Sequence, residues 1–369
     1  MEHRESPRPS RTPLFRVLRV VLFVLLALLA AVAGLVAYLS IAEFRPAAEQ
    51  AAESVSEAYP RDAVALDTAY TVMSFNIGYA GLGAESDFFM DGGAQTRPSS
   101  AQIVQKNFAG ISAAIAAADP DFALLQEVDR DAKRSYGLDE AAQLAALSQW
   151  GAAFAPNHVC PYVPYPLTDT IGRVEAGLLT LSKARPAEQT RVSLPVPFRW
   201  PVRVANLKRC LLVSRIPVQG TDAELVLVNL HLEAYDDGQG RNAQTQQLTG
   251  LLLSEYEKGN YVIAGGDFNQ ALPDVDPTRY SILREGYWNP DELSRDILPG
   301  DWQILCDDGV PTCRLLNKPY DPESPDTQFY VIDGFLCSPN VRVSGVKTLD
   351  LSFAYSDHNP VLLTFSLKK

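Results

Sequence analysis

The chain has 369 residues and is 47% hydrophobic, enough to fill the core of one large domain or two ordinary ones. Its net charge is −12, and outside residues 1–45 it carries 26 basic against 41 acidic side chains. That balance argues against an electrostatic grip on long nucleic acid, although it leaves room for a local basic patch. None of the five cysteines stands in a CxxC or Cys/His pattern of zinc type.

Residues 1–19 form a basic tail with Arg4, Arg8, Arg11, Arg16 and Arg19. Val20 to Ala42 follow as 23 residues without a charge. As a helix they span about 34 Å, enough for a hydrocarbon layer of about 30 Å. Residues 20–42 are therefore predicted to be a transmembrane anchor. The arginine-rich flank before them predicts a cytoplasmic N-terminus and an extracytoplasmic domain. The competing reading is a cleaved secretory signal, because Ala31-Val32-Ala33 resembles a cleavage site. Residues 43–68 are rich in Ala and Glu and open with Arg45-Pro46. They are predicted to be a partly helical stalk, with residues 69–369 as the folded domain.

Thr71-Val72-Met73-Ser74-Phe75 reads as a strand. Gly81 to Ser100 has no periodicity and surrounds Phe88-Phe89-Met90, either a surface loop that tucks its aromatics inward or a lid or membrane-touching tip. Val104, Phe108, Ile111 and Ile115 recur at helical spacing, predicting a helix over about 101–117 that stops at Asp119-Pro120. Strands are predicted at Phe122 to Leu125, Gly177 to Ser182, Cys210 to Ser214 and Leu225 to Leu230. In Pro197-Phe198-Arg199-Trp200-Pro201, Trp200 is expected to pack into the domain with Arg199 solvated; the alternative is contact with a lipid headgroup or a base. Leu248, Leu251 and Leu252 mark a helix face before Gly259, and Tyr261-Val262-Ile263-Ala264 is a buried strand. The Gly265-Gly266 pair that follows lets backbone or ligand come close. Cys306 and Cys313 flank a turn-rich stretch and are read either as a small disulfide loop or as two unpaired thiols. Val361 to Phe365 is the closing strand. Strands outnumber helices, so the domain is expected to be mixed α/β with largely antiparallel sheets.

Polar residues end several of these strands: Asn76, Glu127, His231, Asp267, Asn269, Asp333, Asp357 and His358. Singly, each is an ordinary turn former, cap or core residue. Together they are what metal-assisted phosphoester cleavage requires, since a hard cation wants oxygen ligands, the attacking water wants a base and the phosphoryl oxygens want donors.

On these residues the sequence resembles the endonuclease/exonuclease/phosphatase family of DNase I-like metal-dependent phosphoesterases. The carriers are Ser74-Phe75-Asn76, Leu125-Gln126-Glu127-Val128, Asn229-Leu230-His231-Leu232, Gly266-Asp267-Phe268-Asn269, Ile332-Asp333-Gly334-Phe335 and Ser356-Asp357-His358. They stand in the family's order over about residues 71–366. The resemblance implies an α/β/β/α sandwich of two mixed, mainly antiparallel sheets with outer helices. It also implies Mg²⁺ (or Mn²⁺) held by Glu127, Asn76 and Asp357, with Asp267 orienting or deprotonating the water. Asn269 would donate to the phosphoryl group; Asn157, in Phe154-Ala155-Pro156-Asn157, reads either as a contact to the substrate phosphate or as an ordinary turn residue. His231 and His358 would stabilise charge or protonate the leaving oxygen, and Asp333 would orient His358. Gly78 stands where some DNA-repair members carry an acidic residue, which weakens a repair-nuclease reading. The expected substrate is a phosphodiester or phosphomonoester, with a lipid headgroup preferred over extracellular DNA or RNA. A catalytically silent binding domain is the alternative from another class.

Overall fold

Alternation along the strands decides which side chains meet, because successive residues of a strand face opposite sides of its sheet. The computed structural model describes residues 12–369 apart from 237, 277, 281, 284 and 285. The first eleven residues of the basic tail lie outside that set. Two units are described, Met1–Glu43 and Phe44–Lys369.

In the first unit, helix α1 runs over Thr12–Ile41, and its Phe15–Ile41 portion of 27 residues is long and apolar enough to cross a membrane. It begins earlier than the predicted anchor because arginine is a good helix former, so Arg16 and Arg19 continue the helix.

The second unit begins with β1 (Glu49–Ala51), β2 (Glu53–Glu57), β3 (Tyr70–Asn76), α2 (Ala101–Ala118) and β4 (Phe122–Asp129). Next come α3 (Glu140–Ser148), β5 (Gly151–Val163), β6 (Gly172–Ser182), β7 (Glu188–Ser193), β8 (Cys210–Pro217) and β9 (Glu224–His231). Helix α4 (Gln239–Glu257) leads to β10 (Tyr261–Asp267), β11 (Gln303–Leu305), β12 (Cys313–Arg314) and β13 (Phe329–Tyr330). The unit closes with β14 (Asp333–Cys337), β15 (Val341–Thr348) and β16 (Val361–Leu367).

One seven-stranded sheet has the order β1-β7-β8-β9-β10-β14-β11 and the other β15-β16-β3-β4-β6-β5-β2; β12 and β13 form a separate ribbon. Each large sheet contains one parallel pair, β9 with β10 and β3 with β4, and is otherwise antiparallel. Val72, Phe122, Leu124, Leu227, Ile263, Phe335 and Leu363 fill the space between the sheets. Their neighbours Met73, Phe75, Ala123 and Leu125 face outward onto Val104, Phe108 and Ile111 of α2 and Leu144 of α3. Val226, Val228, Val262 and Ala264 likewise meet Leu248 and Leu252 of α4. The four layers follow from this alternation, and each fully buried Leu, Ile or Phe contributes about 1.5–3 kcal/mol.

Residues 43–68 depart from the expected stalk. β1 pairs with β7 and β2 with β5, so this segment adds an edge strand to each large sheet. Arg61 and Val64 then bridge to Ala184 and Val218. The Ala/Glu composition favours helix locally, but pairing at two open sheet edges overrides that preference. Cys306 and Cys313 are free thiols and form no loop. Trp200 is 60% exposed rather than packed into the domain.

Candidate active site

The alternation that builds the inter-sheet core also aims the strand-end polar groups at one another. On β9, Leu225 and Leu227 face the other sheet, so Asn229 and His231 do too. On β10 the inward series is Tyr261, Ile263, Gly265 and Asp267; on β14 it is Cys337, Phe335 and Asp333. The register pairs Asp267 with His231 on one side and with Asp333 on the other. Three functional side chains therefore stand abreast on adjacent strands. From the second sheet, β3 delivers Asn76 and β4 delivers Gln126 at the same end, and the segment before β16 brings Asp357 and His358.

Glu127 should face outward by strict alternation after Gln126. The β4–β6 register breaks between Leu125 and Val128, and Glu127 adopts φ +52°. Such a bulge re-aims a side chain, and Asn76 Nδ2 donates to Glu127 Oε1 at 3.2 Å. The same Nδ2 donates to Asp267 Oδ2 at 3.0 Å, while Asn76 Oδ1 accepts the Gly78 N–H at 3.0 Å.

Asp267 Oδ2 is the point of convergence. His231 Nε2 lies 3.4 Å and His358 Nε2 3.7 Å from it. Asp267 Oδ1 accepts the Asn269 N–H at 2.8 Å. Burial, reinforced by Asp333, pushes the Asp267 carboxyl up to about 7 against the opposing pull of His358 and the Asn269 and Asn76 hydrogen bonds. Burial pushes Asp357 up to about 6, with His358 opposing and Glu127 adding to the rise. Burial, with the charges of Arg209 and His358, holds His231 well below the ordinary imidazole value. For His358 burial disfavours the charge, but Asp333, Cys313 and Asp357 outweigh it and hold the ring well above that value. Asp333 Oδ2 lies 2.8 Å from His358 Nδ1. Thr312 Oγ1 fixes the start of β14 by accepting the Ile332 and Asp333 N–H groups.

Asn269 is in the cluster at φ +50°, with Nδ2 donating to Leu232 O at 2.9 Å. Asn157 sits at the β5 bulge between Pro156 and His158, on the second strand from β4. Its carbonyl accepts the Lys208 N–H at 2.6 Å, and among the described residues it makes no hydrogen bond to the cluster. Gly78 has φ +52°, and a Cβ there would stand 3.0 Å from Asp357 Oδ1, so the turn itself disfavours a side chain at this position.

Several groups next to the site were not singled out from sequence. Gln126 Nε2 donates to Asn229 Oδ1 at 2.8 Å, joining the two sheets, and Asn229 Nδ2 reaches the Leu125 and Leu179 carbonyls at 3.1 Å. Both lie inside the quoted motifs on inward-facing positions, the one signal that marked them. Arg134 pairs with Asp129 at 2.8 Å, lies 3.8 Å from the centre of the Tyr79 ring and feels the charge of Glu127. Tyr235 donates to Asp91 at 2.8 Å, tying the 81–100 loop across the site. That loop tucks in: Phe88 packs against Tyr79, Leu82 and Leu316, and Phe89 meets Tyr165 at 5.5 Å, leaving Met90 outward.

The sequence profile described as the Endonuclease/Exonuclease/phosphatase family matches residues 73–358. The chain belongs to the endonuclease/exonuclease/phosphatase family. It is accordingly a phosphoesterase, a hydrolase of a class that works with a divalent metal. No curated protein matches the chain. Among solved structures, an endonuclease/exonuclease/phosphatase from Beutenbergia cavernae DSM 12333 is similar at 20% identity and TM-score 0.56, covering 81% of this chain and 72% of that one. ANGEL2, a 2′,3′-cyclic phosphatase in complex with adenosine-2′,3′-vanadate, is similar at 17% identity and TM-score 0.51, covering 82% and 96%. A functionally unknown conserved protein from Enterococcus faecalis V583 is similar at 14% identity and TM-score 0.51, covering 81% and 100%. These likenesses bear on the fold, and the two mixed sheets with flanking helices are the DNase I-like architecture.

The family implies a divalent cation, and the donor set fits one. Glu127 and Asp357 offer carboxylate oxygens of the kind a hard cation takes. The upward push on Asp357, from burial first and then from Glu127, is the mark of buried negative charge that a cation relieves. Asn76 turns its nitrogen toward Glu127 and Asp267 and commits its oxygen to Gly78, so in this structure it positions the carboxylates.

Proposed function

We propose that this chain is a membrane-tethered phosphoesterase that uses Mg²⁺, with Mn²⁺ as a substitute, and acts on a phospholipid or sphingolipid headgroup outside the cytoplasm. The observation that carries the catalytic part is the convergence of Asn76, His231 and His358 on the single oxygen Asp267 Oδ2. Glu127 and Asp357 would hold the cation, which when bound would supply charge neutralisation at the phosphoryl oxygens and acidify water.

The chain's own groups have complementary work. Asp267 Oδ2 takes the proton of the attacking water, and its other oxygen is tied to the Asn269 N–H. Asp333 holds Nδ1 of His358, which leaves the Nε2–H of the charged ring to donate to the phosphoryl or leaving oxygen. His231, kept neutral by burial, orients water or donates a hydrogen bond. Asn269 uses one amide hydrogen on Leu232 O and has a second for the phosphoryl group.

Three observations support the lipid choice over nucleic acid: the α1 segment, the acidic excess, and the exposed apolar side chains Met90, Tyr165, Leu167, Trp200 and Val202. The nucleotide in the ANGEL2 complex supports the alternative, an extracellular nuclease of DNA or RNA. Purified full-length protein in detergent, given sphingomyelin, phosphoinositides, DNA, RNA and a chromogenic bis-aryl phosphate, separates these. The expected result is lipid and bis-aryl phosphate turnover with Mg²⁺ that falls to background in EDTA. Turnover of plasmid DNA without lipid cleavage overturns the substrate reading, and equal background rates with and without metal overturn the catalytic one.

A further inference from the structure

A thiol stands beside the reaction centre, and no step above uses it. Cys313 is buried on β12, whose backbone bridges antiparallel to His358. The neighbouring hydrogen bonds, Arg314 N–H to Asp357 O at 3.0 Å and Asn359 N–H to Thr312 O at 2.8 Å, lock the two segments together. The Cys313 Sγ, a carboxylate oxygen of Asp357 and a ring nitrogen of His358 all lie within 4.8 Å of one another.

We propose that Cys313, Asp357 and His358 form a second cation site, selective for a thiophilic divalent ion of the zinc class, and that its occupation shuts the enzyme off. The ligand chemistry separates it from the oxygen site at Glu127. Thiolate, imidazole and carboxylate together suit Zn²⁺, whereas Mg²⁺ takes oxygen and has little use for sulfur. Around tetrahedral zinc, ligand atoms stand roughly 3.4–3.6 Å apart by the usual bond lengths. Asp357 Oδ2 and His358 Nε2 are already 3.9 Å apart, so only a small closure is needed. Asp333 sits on Nδ1 at 2.8 Å, which fixes the ring and makes Nε2 the coordinating nitrogen. A carboxylate behind a metal-bound histidine is a common supporting arrangement. Binding displaces two protons to solvent, one from the Cys313 thiol and one from His358 Nε2, and forms three metal–ligand bonds. Asp357 and His358 then cannot serve the reaction.

The inhibitory consequence rests on the proposed hydrolysis, whereas the binding does not, so two readouts are needed. The first is the absorption of the full chain titrated with Co²⁺, in which a coordinated thiolate gives a sulfur-to-cobalt charge-transfer band in the near ultraviolet. The second is Mg²⁺-supported bis-aryl phosphate hydrolysis with and without micromolar Zn²⁺, each variant normalised to its own zinc-free rate. The native chain is expected to show the band and to lose about tenfold or more of its rate. Cys313→Ser and Cys313→Ala, checked for folding by circular dichroism, are expected to lack the band and to lose less than about twofold. A native chain without the band, or a band that persists in both variants, overturns the site. A band that disappears in the variants while zinc inhibits all three proteins equally overturns the inhibitory role and leaves the binding.

Discussion

Asp267→Asn is expected to lower kcat for bis-aryl phosphate hydrolysis by about 10²–10⁴-fold while leaving the fold intact. The exchange is isosteric, so the Asn269 N–H keeps an oxygen to bond, while the position of Oδ2 loses its capacity to accept a proton and to accept the Asn76 Nδ2–H. Three side chains from separate segments are aimed at the Oδ2 atom that the exchange alters. Stability should change little, because relief of a carboxyl that burial and Asp333 disfavour offsets the lost Asn76 hydrogen bond. A group that weakens the fold where it stands and strengthens catalysis is the usual compromise at an active site. Thermal melts and steady-state kinetics on the same preparation check both halves. A loss of less than about tenfold with an unchanged melt removes Asp267 from the role of base.

Gly266→Ala is expected to destabilise the domain by about 3 kcal/mol or more, a size reserved for severe overpacking. A Cβ at Gly266 would fall 1.9 Å from Leu230 O, and the backbone there has φ +157°. Leu230 is the register partner of Gly266 in the parallel β9–β10 pair, so relief requires moving one strand from the other. That movement would also displace Asp267, the next residue, and carry activity down with stability. Gly265→Ala meets the Phe335 ring at 2.5 Å, a side chain able to turn, and should cost less. Denaturant midpoints for both variants test this, and a Gly266→Ala midpoint equal to wild type contradicts the close approach.

The two glycines show how much of the site was legible in the sequence. A glycine pair before a strand-end Asp announced close approach, but only the parallel pairing with β9 reveals that a carbonyl is the neighbour. The inward facing of Asn76, His231, Asp267 and Asp333 was readable because short apolar runs fix strand ends and period-two alternation fixes which side a residue faces. Glu127 reaches the cluster only through a bulge, which its sequence does not announce. Asn157 likewise stands at a bulge, in β5, which its sequence does not announce.

Other features depended on contacts distant in sequence. β1 and β2 are strands because β7 and β5 offer them open edges, although their Ala/Glu composition reads as helix. The tie between Asp91 and Tyr235 joins residues 144 positions apart, beyond any local pattern. Trp200 lies outward although its aromatic surface favours burial; the sequence around it fixes neither side. Cys306 and Cys313 were spaced for a loop, yet the pairing of residues 312–314 with 357–359 draws Cys313 toward His358.

The claim on which the rest depends is that the gathered carboxylates hold a catalytic cation. Crystals soaked in Mn²⁺ and measured at its absorption edge test it most directly. The account predicts an anomalous peak within bonding distance of carboxylate oxygens of both Glu127 and Asp357, about 2.0–2.3 Å for ions of this kind. A saturating soak that places manganese elsewhere and leaves both carboxylates without metal would contradict it.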